Sequence, residues 1–193
     1  MRLDLVVGPN GSGKSTFVEL VIAPRRPGVA FVNADAIAAA RWPADPTGHA
    51  YDAAQVAAAT RDALIDAREP FIAETVFSPP SKLELIGRAR SAGYSVALHV
   101  LLIPEDLAVH RVEHRVAAGG HPVPEDKIRG RYARLWPLVA AGIVAAGTAH
   151  VYDNSQVDGP RDIASFASGF PDGPCHWPAW TPNALAGGWP TQT

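Results

Sequence analysis

Apolar and polar positions along the chain predict short buried strands that alternate with helices. The first run, from Leu3 to Val7, is mostly apolar and stops at a glycine, which is typical of a buried parallel strand. Further strands are predicted at residues 29–33, 71–73, 94–103 and 151–153. Helices are predicted at residues 14–22, 47–68, 82–91 and 104–118, and a last one from residue 124 onward, which Pro137 should kink or divide.

This alternation predicts an α/β fold in which helices cover both faces of a mainly parallel sheet, giving three layers. The composition changes after Ser155, where proline, glycine and the tryptophans Trp177, Trp180 and Trp189 are prominent and periodicity is weak. A disordered tail rarely carries that many tryptophans. We therefore expect a domain at residues 1–155 and an irregular C-terminal segment at residues 156–193 that packs against it.

Overall composition narrows the classes of function. The 193 residues are 47% hydrophobic and carry a net charge of −2, so neither nucleic acid nor an anionic membrane is expected as a partner. Cys175 is the only cysteine, which excludes an internal disulfide and a cysteine-rich zinc site. The sequence shows no signal peptide and no apolar run long enough to cross a bilayer. We expect a cytoplasmic protein.

The stretch from Gly8 to Ser15 matches the phosphate-binding pattern G-x-x-x-x-G-K-[ST] between a predicted strand and a predicted helix. Such a loop wraps the phosphates, so that backbone N–H groups and the N-terminus of the following helix face the negative charge. Lys14 is expected to bridge the β- and γ-phosphates, and the Ser15 hydroxyl to bind Mg²⁺. The predicted nucleotide ligands are Gly8, Pro9, Asn10, Gly11, Ser12, Gly13, Lys14, Ser15 and Thr16. The chain is predicted to bind a nucleoside triphosphate, ATP or GTP.

Charged side chains near the predicted strand ends suggest where the terminal phosphate goes. Asp35 follows strand two, and Glu74 and Thr75 follow strand three, at the edge of the sheet where ligands bind in open α/β folds. Further along, the chain supplies the arginines Arg111, Arg115, Arg129, Arg131 and Arg134. Two carboxylates near Mg²⁺ and arginines over the phosphates would form a phosphoryl-transfer site. Ordinary interpretations stay open: a helix N-cap for Asp35, a surface carboxylate for Glu74 and a solvated helix face for the arginines.

The segment from residue 111 to residue 134 is predicted to be a lid over the triphosphate. Its sequence AGGHPVP contains two neighbouring glycines, which permit a hinge, and two prolines, Pro122 and Pro124, which stiffen the loop. Closure would bring arginines onto the transferring phosphoryl group and exclude water, which favours transfer over hydrolysis.

Five stretches together resemble the zeta toxin family and its smaller relatives labelled predicted ABC-type ATPases: GPNGSGKSTF, FVNADAIA, FIAETVFS, AGGHPVPEDKIRGRYARLW and VYDNS. The resemblance covers residues 3–155. It implies an adenylate-kinase-like P-loop fold with a five-stranded, mainly parallel sheet of strand order 2-3-1-4-5. Zeta toxins are kinases that phosphorylate a hydroxyl of UDP-N-acetylglucosamine. The resemblance thus implies a kinase that uses ATP and Mg²⁺, acts on a small-molecule hydroxyl and has an antitoxin protein as a further partner.

The resemblance to the zeta toxin family also implies roles for individual residues within the matching motifs. Asp35 resembles the general base, and Glu74 resembles the carboxylate of the substrate and metal region. Arg115 and one of Arg129 or Arg131 resemble the arginines that clamp the phosphates. The residues implied to lie near the nucleotide base are Asp153 and Asn154.

The identity of the acceptor stays open, because the sequence FIAETVFS differs from the sequence that the family usually has after strand three. Candidate residues for its pocket are Trp42, His49, Tyr51 and the loop at 77–80. One alternative is an antibiotic or other small-molecule phosphotransferase on the same core, and another is a P-loop ATPase or regulatory nucleotide-binding protein. A third is a zinc protease, because His110, Glu113 and His114 form the pattern H-x-x-E-H, although that pattern needs a third ligand.

Overall fold

A single seven-stranded sheet organises the molecule, and its strand order is β2-β3-β1-β4-β5-β6-β7. The computed structural model describes residues 1–118, 120 and 122–189. The strands are β1 (Arg2–Val7), β2 (Ala30–Val32), β3 (Phe71–Thr75), β4 (Ser95–Leu102), β5 (Thr148–Asp153), β6 (Arg161–Ala167) and β7 (Phe170–Pro171). The helices are α1 (Lys14–Phe17), α2 (Ala34–Arg41), α3 (Ala50–Asp66), α4 (Ser81–Ser91), α5 (Glu105–Ala117), α6 (Glu125–Ala145) and α7 (Asn183–Ala186).

The first five strands are parallel, and their order confirms the predicted 2-3-1-4-5 arrangement of an adenylate-kinase-like P-loop fold. The sheet is nevertheless larger than the predicted five strands. Strands β6 and β7 extend it antiparallel beyond β5, and both come from the segment that the sequence analysis described as irregular. The mainly parallel α/β fold is confirmed, whereas the division of the chain at residue 155 stays a prediction.

Three helical predictions differ from the structure. The first helix is regular only over Lys14–Phe17 and continues as a π-helical turn, Val18–Ile22, and a 3₁₀ turn, Ala23–Arg25. Helix α2 was not predicted at all, and α6 runs undivided through Pro137, which lies exposed on its outer face. No helix in the described ranges is both long and apolar enough to span a bilayer.

Alternating side chains of the strands divide the core between the two faces of the sheet. In β1, Leu3 and Leu5 belong to the larger cluster, which includes the fully buried Trp136, whereas Val6 belongs to a smaller cluster against α1. Burying both faces of a parallel strand in this way gives the nearly continuous apolar run seen in the sequence. The core therefore holds the carboxyl ends of the central strands in a fixed position.

One charged group interrupts this apolar run. The Asp4 carboxylate is fully buried, and it accepts hydrogen bonds from Arg2 at 2.6 Å and from His99 Nε2 at 3.1 Å. Burial alone would raise the pKa of Asp4, but the hydrogen bonds from His99 and Arg2 outweigh burial and lower it. Asp4 therefore carries its charge inside the sheet beside three basic side chains, those of Arg2, His99 and, at 3.7 Å, Arg26.

The described part of the C-terminal segment packs on the large core cluster. Phe166 of β6 meets the ring of Trp189 at a centroid distance of 4.7 Å and that of Trp177 at 6.5 Å. Cys175 and Leu185 are buried in the same cluster. Trp177 and Trp189 thus pack against the hydrophobic core, whereas Trp180 is exposed.

Candidate active site

A cleft of about 560 Å³ lies where the carboxyl ends of β1 and β3 meet the starts of α1 and α2. One face of α3, the loop after β3, and arginines of α5 and α6 complete its walls. The predicted site residues that line the cleft are Asn10, Gly11, Gly13, Lys14, Ser15, Thr16, Asp35, Glu74, Thr75, Arg115 and Arg131. The predicted residues that do not line it are Gly8, Pro9, Ser12, Arg129, Asp153 and Asn154.

The phosphate-binding loop joins β1 to α1, and its path requires glycine. Gly8 has a φ of +154°, and a β-carbon there would lie 2.5 Å from the carbonyl oxygen of Leu101, so only glycine fits. Lys14 is buried, and its Nζ donates a hydrogen bond of 2.8 Å to the carbonyl oxygen of Pro9. The loop backbone thus binds the ammonium group that a triphosphate would otherwise contact.

Asn154, which follows β5, fixes this loop from behind. Its side-chain Nδ2 donates to the backbone carbonyl oxygen of Ser12 at 2.8 Å, and its backbone carbonyl oxygen accepts from Arg111 Nη1 at 3.0 Å. The neighbouring Asp153 is buried, and its Oδ1 accepts a hydrogen bond from the Ser155 backbone at 2.9 Å. The structure therefore places Asn154 in contact with the loop and Asp153 in a turn beside it. Their predicted role at the nucleotide base stays a prediction.

Glu74 connects the loop to the end of β2. Ser15 Oγ donates to Glu74 Oε2 at 2.9 Å, and Asn33 Nδ2 donates to the same oxygen at 2.8 Å. The Asn33 side chain also caps α2 by accepting from the backbone N–H groups of Asp35 and Ala36. The N-cap of α2 is therefore Asn33, and Asp35 is the second residue of the helix, in its first turn, and is exposed.

This donor set fits a magnesium ion bound together with phosphates. Mg²⁺ prefers oxygen ligands and is usually held by one or two protein groups plus substrate phosphates and water. Ser15 Oγ and the Glu74 carboxylate supply two such oxygens side by side. Burial raises the pKa of Glu74, while Lys14 and the hydrogen bond from Ser15 lower it in part. A bound cation would stabilise the charged carboxylate at this position.

Charges of both signs surround Lys14. Burial lowers the pKa of Lys14, and Glu74 and Asp35 partly offset this effect, whereas Arg115 and Arg131 lower it further. Lys14 is thus close to both predicted carboxylates and to two of the predicted arginines. Such a centre can hold a polyphosphate and stabilise charge that moves during phosphoryl transfer.

The predicted arginine cluster divides into two groups. Arg111, Arg115 and Arg131 line the cleft. Arg129 instead donates to Glu125 at 2.8 Å and to Asp106 at 2.9 Å on the protein surface. These hydrogen bonds raise the pKa of Arg129. Of the two hinge glycines, Gly119 lies outside the described residues, so the lid movement stays a prediction.

The loop at 77–80, predicted to line an acceptor pocket, is part of the cleft wall, because residues 76–79 line the cleft. Phe77 is fully buried there with a φ of +64°, a left-handed conformation that is strained for a bulky side chain. The other predicted pocket residues lie elsewhere: Trp42 stacks on His49 at 4.8 Å, and Tyr51 is exposed. None of these three lines the cleft in the described part of the chain.

Two basic residues that the sequence analysis did not single out, Arg61 of α3 and Lys82 of α4, also line the cleft. Asn33 was missed as well, although an asparagine between a strand and a helix is a recognisable N-cap signal. Arg61 carried a weaker signal. It shares a helical face with Ala50, Ala54 and Ala57, the small residues that border the cleft.

The H-x-x-E-H pattern lies on an exposed part of α5. His110 Nδ1 and Glu113 Oε2 are 3.5 Å apart, and both side chains are mostly exposed. Within residues 1–118, 120 and 122–189 no group of three or more His, Cys, Asp or Glu side chains could hold a metal ion. The exposed ion pair fits the ordinary interpretation of this pattern as a helix surface.

Comparison with known protein families identifies one family whose model includes the residues of this cleft around the phosphate-binding loop. A family model described as an AAA domain matches residues 3–138, which is more than half of the chain. The chain belongs to the AAA domain family. The match contains the phosphate-binding loop and both predicted carboxylates, and it ends within α6. No curated protein sequence matches the chain at a significant level.

Solved structures show the same fold. The AvrRxo1-ORF1:AvrRxo1-ORF2 complex with sulphate ions matches with a TM-score of 0.70 and 16% identity, over 89% of this chain and 60% of that one. The PezAT toxin–antitoxin system of Streptococcus pneumoniae matches with a TM-score of 0.64 and 12% identity, over 87% and 74% of the two chains. A provisionally assigned kinase of Chloroflexus aurantiacus matches with a TM-score of 0.55 and 17% identity, over 69% and 77%.

These likenesses confirm, at the level of the fold, the predicted resemblance to the zeta toxin family. This chain spans 60% of the length of the AvrRxo1 chain that it matches. The shared feature is a P-loop kinase-like core, and the AvrRxo1 complex has also been solved with ATP.

Proposed function

We propose that this protein is a kinase that transfers the γ-phosphate of ATP to a hydroxyl group of a small molecule. The observation that carries the proposal is the convergence of Lys14, Asp35 and Glu74 on one cleft beside the phosphate-binding loop. A nucleotide-binding switch needs the lysine and a magnesium ligand. It does not need a second carboxylate in the same cleft, and phosphoryl transfer to an alcohol uses one as general base.

The roles follow from position. Lys14 would bind the β- and γ-phosphates once it leaves the Pro9 carbonyl, and Ser15 and Glu74 would hold Mg²⁺. Asp35 is exposed at the start of α2, lines the cleft, and would accept the proton of the acceptor hydroxyl. The arginines that line the cleft would stabilise the charge on the transferring group. GTP could replace ATP in these roles, because none of the contacts named here is to the nucleotide base.

The acceptor that we propose is a metabolite with a free hydroxyl, of which a UDP-linked amino sugar is one candidate. Zeta toxins, which this fold resembles, act on such a molecule. The PezAT relative belongs to a toxin–antitoxin system, which supports an antitoxin protein as a partner of this chain too. An antibiotic would fit the same chemistry with a different pocket.

Transfer of labelled γ-phosphate from ATP into a cell metabolite extract, read by mass spectrometry, tests this function. The parent should give a phosphorylated metabolite, and Lys14→Ala should abolish it while the circular dichroism spectrum is unchanged. Asp35→Asn should reduce transfer by about 10²–10⁴-fold with ATP affinity nearly unchanged. Lys127→Ala, an exposed lysine on α6, is the control. A chain that releases inorganic phosphate at a similar rate with and without extract would be an ATPase, and the proposal would fail.

A further inference from the structure

Arg61 is a buried cation that makes no hydrogen bond or ion pair with the described residues, although the charge of the adjacent Asp62 acts on it. Only 5% of its surface is exposed. The adjacent carboxylate of Asp62 instead pairs with Arg88. A buried charge is costly unless it is paired, and its retention in a cleft suggests that a ligand supplies the missing anion.

Lys82 brings a second cation to the same region. It lies in the first turn of α4 and lines the cleft, and its ammonium group makes no hydrogen bond or ion pair with other described residues. Burial lowers the pKa of Lys82, and the nearby positive charge of Arg61 lowers it further. A lysine in the first turn also meets the positive end of the helix dipole. The repulsion between the two cations and the helix dipole would both be offset by an anion bound between Arg61 and Lys82.

This pair is separate from the transfer centre. The charges that act most strongly on Lys14 are those of Glu74, Asp35, Arg115 and Arg131, so Arg61 and Lys82 are not its main charged neighbours. On the same face of α3 as Arg61, the residues Ala50, Ala54 and Ala57 also line the cleft, and their small side chains leave room for an elongated molecule. From Ala50 to Arg61 the helix rises by about 16 Å, enough for a metabolite of several rings or chain units.

We propose that Arg61 and Lys82 bind a phosphate group that the acceptor already carries, away from the hydroxyl that receives the new phosphate. The proposal rests on the kinase function proposed above and narrows its acceptor to phosphorylated metabolites. Two unpaired cations match a phosphate, which carries about −1.5 to −2 charges at neutral pH, better than a carboxylate with one.

Calorimetric titration with inorganic phosphate tests the site without turnover. The protein is first saturated with Mg²⁺ and a non-hydrolysable ATP analogue, so that the phosphate-binding loop is filled. Phosphate should then bind to the parent, and Arg61→Gln and Lys82→Gln should each weaken binding by about tenfold or more, since each removes a charged hydrogen-bond donor. Arg61→Lys should retain part of the affinity. Arg68→Gln, which removes an exposed charge just beyond the end of α3, should change nothing.

The outcomes separate this proposal from the kinase function. Phosphate binding that depends on Arg61 and Lys82 in a protein without transfer activity would support the site and refute the kinase. Transfer to a phosphorylated acceptor with the same KM in the parent and in Arg61→Gln would overturn the site and leave the kinase intact. Unchanged phosphate affinity in both glutamine variants would also overturn it. If Arg61→Gln fails to fold, Lys82→Gln decides, because its side chain is only half-buried.

Discussion

Gly13 and Asn154 offer a quantitative test of how the phosphate-binding loop is held. Gly13 has a φ of +85°, and a β-carbon on it would lie 2.7 Å from Asn154 Nδ2. Gly13→Ala therefore costs about 1 kcal/mol for the left-handed backbone. It also forces the amide away from the Ser12 carbonyl oxygen, and the lost hydrogen bond costs about 1 kcal/mol more.

Asn154→Ala alone should lower the free energy of unfolding by about 1 kcal/mol, because the same hydrogen bond is lost. The double variant should lose about 2 kcal/mol, whereas the sum of the single changes is about 3 kcal/mol. The hydrogen bond can be lost only once, and the alanine at residue 154 no longer obstructs the new β-carbon. The double-mutant cycle should therefore show a coupling of about 1 kcal/mol between the two sites.

Urea unfolding of the four proteins, without nucleotide, measures this coupling. Gly28→Ala is a matched control, because Gly28 has a φ of +76° but no atom within 4 Å of its added β-carbon. It should show the backbone cost alone and be additive with Asn154→Ala. Additivity of Gly13→Ala with Asn154→Ala to within about 0.3 kcal/mol would refute the contact between the two residues.

Three further predictions concern charge. Arg115→Gln should slow phosphoryl transfer by about 10³-fold with a smaller loss of ATP affinity, while Arg134→Gln on the exposed face of α6 should change neither; equal effects in a transfer assay would rule out the lid. Asp4→Asn should cost about 2 kcal/mol of unfolding free energy at pH 7. That deficit should shrink near pH 3, because the lowered pKa of Asp4 gives a stabilisation that is lost as the pH falls; a deficit independent of pH would contradict this. The raised pKa of Glu74 means that the folded protein loses stability as the pH rises above about 4.5. Without nucleotide, Glu74→Gln should therefore have a higher melting temperature than the parent at pH 8, and no higher one at pH 4.

The central sheet could be predicted because its strands are buried on both faces. The run from Leu3 to Val7 and the apolar residues of β4 are nearly continuous, and such runs leave few alternatives in a chain where helices intervene. β6 could not be predicted in the same way. Its sequence RDIASFA begins with two charged residues and includes alanine and serine, and it becomes a strand because β5 offers an edge.

The candidate site was predictable where residues adjoin a strand end in sequence. Asp35 and Glu74 were found for that reason, since parallel strands place their carboxyl ends together. Arg61 lies mid-helix, and only the packing of α3 beside the loop after β3 brings it to the cleft. Arg129 resembles its neighbour Arg131 in the sequence, but the carboxylates of Glu125 and Asp106 bind it at the surface. Tertiary contacts decide such cases.

Because β6 pairs with β5, it also affects how often β5 and the adjoining Asn154, which holds the phosphate-binding loop, open to solvent. β5 is hydrogen-bonded to β4 on one side and to β6 on the other, so it is an interior strand and not an edge. The Asn154 N–H that follows it donates to the Leu102 carbonyl oxygen at 2.9 Å. Its amide proton should therefore exchange with solvent only when the sheet opens cooperatively, and not through the local fraying that edge strands undergo. In a hydrogen-exchange experiment, removal of the residues that form β6 should convert the slowest protons of β5 into fast ones.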